Sequence, residues 1–576
     1  MVQSNKKKTL LEEKKMIKTQ SQKRIFMFVV ALVVLSGTSF AAEYDWTGYI
    51  DVDWDNPGNW DVTGSIYTWP NEQFGDSWVN KDCDEINIAT GGVVDRVGDL
   101  RISGADDGSN EVVLTIDNSS ELNIHPGFGK DIWIAVGDNS RGRVEVRDGS
   151  HLELEDGAIR IGEGNTSVGA LNIINGTVDI AQWLIVGRTS KGTVEIKNGN
   201  LNIEGWGGWS SLYVAYNSNS TGTLDINNGN VNIEDSLIVG NSDNSTGIIE
   251  IKNSNFNISK HLSLGNGGEG TSCSMSIKDN SIINIGSNLR VGNSDSSTGT
   301  LEIKNSTLDI GSNLQVGNSD SSTGTLEIKD STLVIGGSAN LGGSGNTLGI
   351  LGIKDSTVEI GEDLFLAKSG TSTGTLEIKG GTLDIGNNLI LVRRGASGTL
   401  SIKGNSIINI GGEFQMNAQP TGMVSEVVMD DGVVTVLYDS YLNFRGDGDS
   451  VADFTLNNGI WDSGGNINVG KTDEGDSCLT INGGMMQAGQ KIFVGNPGID
   501  LGESKIFLNG GVLQGEDLEF NLEPGDSLII YRGGELRIRS SALDETDMQD
   551  LIDIGKIDVP TDYEITTIGN YTVLRS

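Results

Sequence analysis

A repeat of about 25 residues, running from Gly142 to Gly422, constrains the fold of this 576-residue chain more than any other feature. One clear unit covers residues 299–318 and reads GTLEIKNSTLDIGSNLQVGN. The positions equivalent to Gly299, spaced 23 to 30 residues apart, are Gly142, Gly169, Gly192, Gly222, Gly247, Cys273, Gly299, Gly324, Gly349, Gly374, Gly398 and Gly422. A period of this size is typical of a solenoid, in which each unit buries its apolar face against its neighbours.

Within each unit, apolar and polar residues alternate in three short runs, as at 301–303, 308–310 and 314–316. Alternation over so few residues predicts strands, and the Gly, Asn and Ser residues between the runs predict turns. The hexapeptide repeat of left-handed β-helices is absent, and parallel crossovers are generally right-handed. The sequence therefore predicts an all-β fold, a right-handed parallel β-helix with about three short strands per coil and caps at both ends.

Stacked coils would align like residues in rows along the rod. An acidic row containing Glu302 and Glu327 would then lie beside a basic row containing Lys304 and Lys329. Exposed charge pairs contribute little to stability. We interpret these rows as a solvated outer face.

Residues 1–41 have the pattern of a secretory signal peptide. A basic pair precedes the apolar run 25–35, and small residues occupy the cleavage site at 39–41. That run is too short to cross a bilayer, so we expect no stable membrane span after cleavage; a retained anchor is the alternative. Met16 is a second candidate start, which would make residues 1–15 a start-site artefact.

The charge balance is strongly acidic. The chain has 40 Lys and Arg residues against 78 Asp and Glu, a net charge of −38. Such a surface disfavours nucleic acid and anionic membranes as partners, because both are themselves negative. Together with the signal peptide, it predicts an exported protein that is extracellular or on the cell surface, with the periplasm as the alternative.

The composition changes in residues 42–85, which hold five of the ten Trp residues. In this segment, WTG at 46–48 and DWDNPGNW at 53–60 stand close together. They resemble the N-terminal signature of secreted bacterial β-solenoid proteins of the autotransporter-passenger-like or PEP-CTERM-associated type. The resemblance implies a secreted solenoid and leaves the activity open.

The sequence thus divides into four segments: a signal peptide at 1–41, a Trp-rich N-terminal cap at 42–85, the β-helix at 86–520 and a C-terminal cap at 521–576. An open solenoid exposes strand edges and apolar core at its ends, so caps are required. The expected elements of the C-terminal cap are strands at 528–530 and 535–538, a short helix at 544–554 and a strand at 565–574.

Aromatic residues cluster where an insertion at 205–209 lengthens one repeat. Aligning third strands on the Val-Gly pairs at 136–137 and 186–187 places Trp133 and Trp183 at the same outward position in their coils. Exposed aromatic patches often mark ligand or partner surfaces, and tryptophan rings suit sugars. The alternative is that the inserted loop folds over this face and buries it. The candidate residues for contact with an extracellular glycan or surface protein are Trp133, Trp183, Trp206, Trp209 and Tyr213.

The longer turns contain Asp243, Asp295 and Asp320 at equivalent positions. Stacked oxygen ligands of this kind could hold Ca²⁺, which prefers oxygen donors. Asp and Asn are equally common in turns because their side chains bond to nearby backbone groups. We favour the turn-forming role and predict no other cofactor.

No catalytic motif stands out. The three histidines lie in separate coils, and no GxSxG or HExxH motif is present. We therefore predict a secreted or cell-surface, non-enzymatic solenoid with a structural, adhesin-like or glycan-contacting role. The alternative is a polysaccharide lyase or glycoside hydrolase of the parallel β-helix type, since carboxylates that could perform such chemistry are abundant.

Overall fold

The protein is a parallel β-solenoid of stacked coils, as the repeat predicts. The computed structural model describes strands 43–46, 60–63, 77–80, 85–88, 93–97 and 100–103, and segments 111–125, 131–204, 211–417, 424–443, 450–470, 476–495, 503–520, 527–530 and 533–576. The signal-peptide prediction at 1–41 and most of the Trp-rich cap lie outside these residues.

Most coils contain three strands, and the repeat at 299–318 shows how its sequence produces them. Its strands are Thr298–Lys304, Thr307–Ile310 and Leu314–Val316. Alternate residues of each strand point inward and are buried. The corners after the first and third strands are taken by Asn305 (φ 48°) and Gly317 (φ 66°). Both lie in the left-handed region, which Gly and Asn adopt readily and β-branched residues resist.

The strands form three parallel ladders. The first strands are Glu85–Ile88, Glu111–Ile116, Arg141–Arg147, Val168–Ile174, Lys191–Lys197, Thr221–Asn227, Thr246–Lys252, Ser272–Lys278, Thr298–Lys304, Thr323–Lys329, Ser397–Lys403, Val424–Met429, Val451–Leu456, Asp476–Ile481, Ser504–Leu508, Ser527–Ile530 and Ile557–Asp558. The second strands are Val93–Val97, Glu121–His125, His151–Leu154, Thr177–Ile180, Asn200–Ile203, Asn230–Ile233, Asn255–Ile258, Ile282–Ile285, Thr307–Ile310, Thr332–Ile335, Ile407–Ile410, Val433–Val436, Ile460–Ser463, Met485–Ala488, Gly511–Gly515 and Gly534–Arg539. In two coils, Leu348–Ile360 and Thr373–Ile385, the first and second strands are continuous.

The third strands form a separate ladder that is unbroken from 77 to 520. They are Ser77–Asn80, Leu100–Ser103, Ile132–Ile134, Ile159–Ile161, Leu184–Val186, Leu212–Val214, Leu237–Val239, Leu262–Leu264, Leu289–Val291, Leu314–Val316, Ala339–Leu341, Leu364–Ala367, Leu389–Val392, Phe414–Asn417, Ser440–Leu442, Ile467–Val469, Lys491–Val494 and Asp517–Phe520. With neighbouring strands about 4.8 Å apart, these eighteen strands span about 80 Å.

The interior is a continuous aliphatic column of Leu, Ile and Val, and it becomes aromatic towards the C-terminal end. Phe414, Phe454 and Trp461 are fully buried there and meet edge to face, with ring centroids 4.7 to 6.3 Å apart. The indole nitrogen of Trp461 donates to Ser440 Oγ at 3.1 Å, so its one polar atom is satisfied.

The glycine row that marks the repeat points into the crowded interior. A Cβ on Gly324 would meet the carbonyl oxygen of Val291 and lie 2.8 Å from a methyl carbon of Val316. Between Gly142 and Gly398 the row therefore holds only glycine and the small side chain of Cys273, whereas Val112 occupies it in the coil before Gly142. Its last member was misassigned: the residue paired with Gly398 is Ser425, not Gly422, because the preceding loop is longer than the repeat predicts.

The outward acidic and basic rows are confirmed. Glu302 pairs in register with Glu327, and Lys304 with Lys329. Cross-coil ion pairs join the two rows, as between Lys403 Nζ and Glu377 Oε1 at 3.2 Å. These side chains are about half exposed, so each pair contributes little.

Additional strands and one helix cover the two ends of the solenoid. At the N-terminal end, strand Glu43–Trp46 runs antiparallel to Trp60–Thr63 and parallel to Glu85–Ile88. At the C-terminal end, helix Glu545–Asp553 confirms the predicted helix. Its N-cap is Asp544, which forms a capping box with Asp547.

The final strand prediction was wrong in one respect. Residues 565–574 form two antiparallel strands, Glu564–Ile568 and Tyr571–Arg575, instead of one. Gly569 adopts a φ of 65° between them, which permits the reversal. The second of these strands pairs antiparallel with Gly534–Arg539 and so closes one edge of the solenoid.

Candidate functional site

The predicted alignment of two tryptophans was wrong. Trp133 lies in the centre of its third strand and pairs in register with Arg160, which pairs with Ile185 and then Tyr213. Trp183 lies just before its strand, two residues away from that position. The two tryptophans differ in position because different residues form the corner after the third strand in their two coils.

The left-handed corner after the third strand is Gly187 in one coil and Ala135 in the other. Both amides donate to equivalent carbonyls of the preceding coil, those of Ile161 and Ile102. The sequence alignment had matched Gly187 with Gly137 instead. An alanine in a left-handed conformation is uncommon, so the sequence gives little warning of it.

Trp133 is surrounded by arginines. The guanidinium carbons of Arg160, Arg188 and Arg101 lie 4.5, 5.6 and 5.8 Å from its ring centroid. Arg160 also forms an ion pair with Asp131, and both side chains are more than four-fifths buried. Trp133 is therefore held in a cationic cluster and is only partly accessible to a ligand.

Tyr213 is also half-buried, and its ring meets that of Tyr216 edge to face at 4.9 Å. Burial raises the pKa of the Tyr213 hydroxyl, and the neighbouring Tyr216 adds to the effect. Ile185, its neighbour in register, is 4% exposed. Trp206 and Trp209 lie outside the described residues. The structure thus brings Trp133 and Tyr213 onto one face, with Trp183 at its edge.

One of the turn aspartates bonds to a neighbouring coil and not within its own turn, so the turn-forming interpretation stays a prediction. Asp243 Oδ1 accepts the amide hydrogen of Gly268, in the next coil, at 3.1 Å. The turns themselves use left-handed residues, among them Asn244, Ser296 and Ser321. Calcium binding by Asp243, Asp295 and Asp320 stays a prediction.

Sequence reasoning missed a histidine–carboxylate cluster on the second-strand ladder. His151 pairs in register with Glu121, and Glu153 follows two residues later on the same outward face. Within the described residues, one group of His, Cys, Asp or Glu side chains is placed so that it could hold a metal ion: Glu121, His151 and Glu153. Their ligand atoms all lie within 4.8 Å of one another. All three are half-buried.

A third acidic residue, Asp179, orients the imidazole. His151 Nε2 lies 2.7 Å from Asp179 Oδ2, while Nδ1 lies 3.7 Å from Glu121 Oε1. Asp179 Oδ1 in turn accepts a hydrogen bond from Asn202 at 2.7 Å. The histidine is therefore held between two carboxylates, with one ring nitrogen directed to each.

These contacts shift two pKa values in opposite directions. The hydrogen bond to Asp179 raises the pKa of His151 against the opposing effect of burial. Burial alone would raise the pKa of Asp179, but hydrogen bonds from His151 and Asn202 outweigh it and lower that pKa. Both shifts favour the charged pair.

From Asp179 a row of asparagine side chains continues along the rod. Asn202, Asn232, Asn257 and Asn284 each donate to the oxygen of the preceding member at 2.7 to 2.8 Å. The row fixes one oxygen of Asp179 as an acceptor and so leaves the other for His151. Beside it, a groove of about 390 Å³ is lined by Glu153, Asp179 and Glu204, among others.

The sequence contained a usable signal for this cluster. Aligning the strand starts at Glu121, His151 and Thr177 places Glu121 opposite the histidine in one adjacent coil and Asp179 diagonally from it in the other. The three histidines lie in separate coils, and the acids that pair with His151 come from the coils above and below it.

No family model, curated protein or solved structure matches this chain. Within the described part of the chain, no helix is long and apolar enough to cross a bilayer. The function must therefore be argued from the arrangement of the chain's own side chains.

Proposed function

We propose that the protein is a secreted or cell-surface rod with a structural, adhesin-like role, and that it contacts an extracellular glycan or surface protein through side chains on its strands. The observation that carries the proposal is the constant register of the ladders. Successive coils between 211 and 417 align residue for residue, with short corners between the strands.

Such regularity favours a rigid spacer over a catalyst. A catalytic cleft needs walls that exclude water, and long loops usually provide them. In the described coils between 211 and 417 the corners are only a few residues long. The signal-peptide pattern and the acidic surface favour the same proposal, since both suit an exported protein.

The contact surface is tested by replacing Trp183 and Tyr213 with alanine, separately, and applying the mature protein to a glycan array. We expect each substitution to weaken binding, because each removes aromatic area from the outward face. Phe493→Ala is the matched control, since Phe493 occupies the Tyr213 position in a distant coil and is likewise half-buried. Equal binding by all four proteins would remove this face from the proposal.

The location is tested by fractionating cells that make the native protein. Recovery in the medium or on the surface supports the proposal. Recovery in the cytoplasm with residues 1–41 still attached contradicts it.

The groove lined by Glu153, Asp179 and Glu204 favours a second candidate, a polysaccharide lyase or glycoside hydrolase. Several carboxylates along one groove are the residue type that such chemistry uses. Incubation with pectin, alginate and neutral glycans tests this candidate. Product formation that disappears in Glu153→Gln would replace the non-enzymatic proposal.

A further inference from the structure

We propose that Glu121, His151 and Glu153 bind one divalent transition-metal ion, with Zn²⁺ as the best chemical match. The three side chains offer one imidazole nitrogen and two carboxylates, a donor set that zinc accepts with water in the fourth position. This site is independent of the glycan-contacting face, which lies on the third-strand ladder.

The spacing of the donors fits a single ion. Tetrahedral zinc with bonds of about 2.0–2.1 Å holds its ligand atoms about 3.4 Å apart. His151 Nδ1 and Glu121 Oε1 lie 3.7 Å apart. A carboxylate oxygen of Glu153 lies within 4.8 Å of a ring nitrogen of His151 and of a carboxylate oxygen of Glu121. Small side-chain rotations of the two half-buried glutamates are enough to close that distance.

The backbone prepares this geometry. Glu121 and His151 stand opposite each other on adjacent parallel strands, and Glu153 is displaced from His151 by one full strand period. Because the ladder fixes all three Cα positions, little conformational entropy is lost on binding. An ion here would also join two neighbouring coils.

Asp179 supplies the support that metal-binding histidines usually have. A ligating imidazole commonly donates its second N–H to a carboxylate, which fixes the tautomer and the ring orientation. His151 Nε2 has that partner in Asp179 Oδ2, at 2.7 Å, so Nδ1 faces Glu121. Asp179 is accordingly a positioning residue, held by Asn202.

The charge balance also favours a cation. Three carboxylates surround one imidazole, so even a protonated His151 leaves two negative charges in excess. Within the described part of the chain, Glu121 and Asp179 form ion pairs with His151, and none of Glu121, Glu153 and Asp179 is paired with a lysine or arginine. A divalent ion reduces this excess more than a proton does.

The test uses untagged mature protein, stripped with a chelator and titrated with ZnCl₂ by calorimetry, with bound zinc measured by mass spectrometry after gel filtration. We expect one ion per chain at micromolar zinc. His151→Gln should abolish binding. His261→Gln is the matched control and should bind as the parent does, because His261 lies near Lys260 and Arg290 instead of a carboxylate cluster.

Two further variants separate loss of the site from loss of the fold. Glu153→Gln should bind at least about tenfold more weakly. The same row already carries an amide at Asn123, in the preceding coil, and at Asn202, two coils further on, so folding should persist. Asp179→Asn should weaken binding about 10- to 100-fold, as expected for a supporting residue. Co²⁺ gives an independent readout through its visible absorption in a tetrahedral site.

The proposal is overturned if the parent protein binds no zinc at micromolar concentrations. It is also overturned if His151→Gln and Glu153→Gln, folded by circular dichroism, retain the parent stoichiometry and the Co²⁺ spectrum.

Discussion

The coils at 111–204 and those at 298–385 have the same strand arrangement but differ in their outward-facing side chains. In the second region, neighbouring strands Thr298–Lys304 and Thr323–Lys329 stack identical residues at all seven positions. In the first region, the buried positions still match in type, but Arg143 stacks on Ala170 and Glu145 on Asn172. The inward positions are constrained by packing, whereas the outward ones are free to vary.

This difference explains where specific chemistry arises. A row of identical side chains can form only like-with-like contacts and weak pairs with the adjacent row. Where neighbours differ, particular pairs form across coils, such as Arg160 with Asp131 and His151 with Asp179. The irregular coils are therefore the place to look for a site.

The largest effect should come from violating the shared interior. Gly324→Val in the uniform region would press a branched side chain against the backbone of the third-strand ladder and should lower the free energy of unfolding by about 3 kcal/mol. Thr325→Val, on the outward side of the same strand, is the control and should change it by less than about 0.5 kcal/mol. Denaturant unfolding measures both. Equal effects would show that the interior is not tightly packed.

A smaller effect should distinguish the two regions directly. Arg160→Ala removes a mostly buried ion pair and the cation–π contact with Trp133, and should cost about 2 kcal/mol. Arg290 occupies the same register position in a regular coil and donates from Nε to Gln315 at 3.0 Å, and it has no ion pair among the described residues. Arg290→Ala should therefore cost about 0.5 kcal/mol by thermal or denaturant unfolding. A reversed order would contradict the comparison.

Removing one member of the asparagine row should lower the stability by a smaller amount. Asn232→Ala breaks its hydrogen bonds to Asn202 and Asn257 and should cost about 1 kcal/mol, measured by denaturant unfolding. Val334 occupies the same row further along, so the fold itself does not require an amide there. Val334→Asn is accordingly expected to be nearly neutral. A loss in Val334→Asn as large as that in Asn232→Ala would contradict the assignment of the Asn232 effect to its hydrogen bonds.

The smallest effect concerns pH, in chelator-treated protein. The pKa of His151 is raised on folding, so its contribution to stability is complete below the unfolded pKa and is lost as pH rises through the folded pKa. Burial and Arg290 lower the pKa of His261 on folding. Its contribution to stability is therefore present above the unfolded pKa and is lost as pH falls through the folded pKa. Solvent screening keeps the His151 contribution below about 1 kcal/mol.

Titration of ¹³C-histidine-labelled protein by NMR checks this order. The pKa of His151 should exceed that of His261. Asp179→Asn should lower the pKa of His151 and leave that of His261 unchanged, because the hydrogen bond to Asp179 is the main cause of the first shift. The same pKa for both histidines would contradict the geometry of the cluster.

Much of the architecture could be read from the sequence, because solenoid packing is local. Each buried position is set by alternation within a strand and by the like residue one period later, so Leu301 and Leu326 identify each other. The C-terminal helix predicted at 544–554 is present at Glu545–Asp553. Prediction failed where the period changed, at Gly422 and at Ala135, since one shifted corner moves every outward residue after it.

The periodic pattern of apolar residues alone determined that this chain winds into stacked coils, because burying alternate side chains in short strands leaves few other arrangements. Only the tertiary structure decided which outward residues face one another. Residues such as Glu121, His151 and Asp179 lie about 30 positions apart in sequence, and the register that brings them together depends on the length and handedness of each corner. The fold is a property of the repeat, and the site is a property of its irregularities.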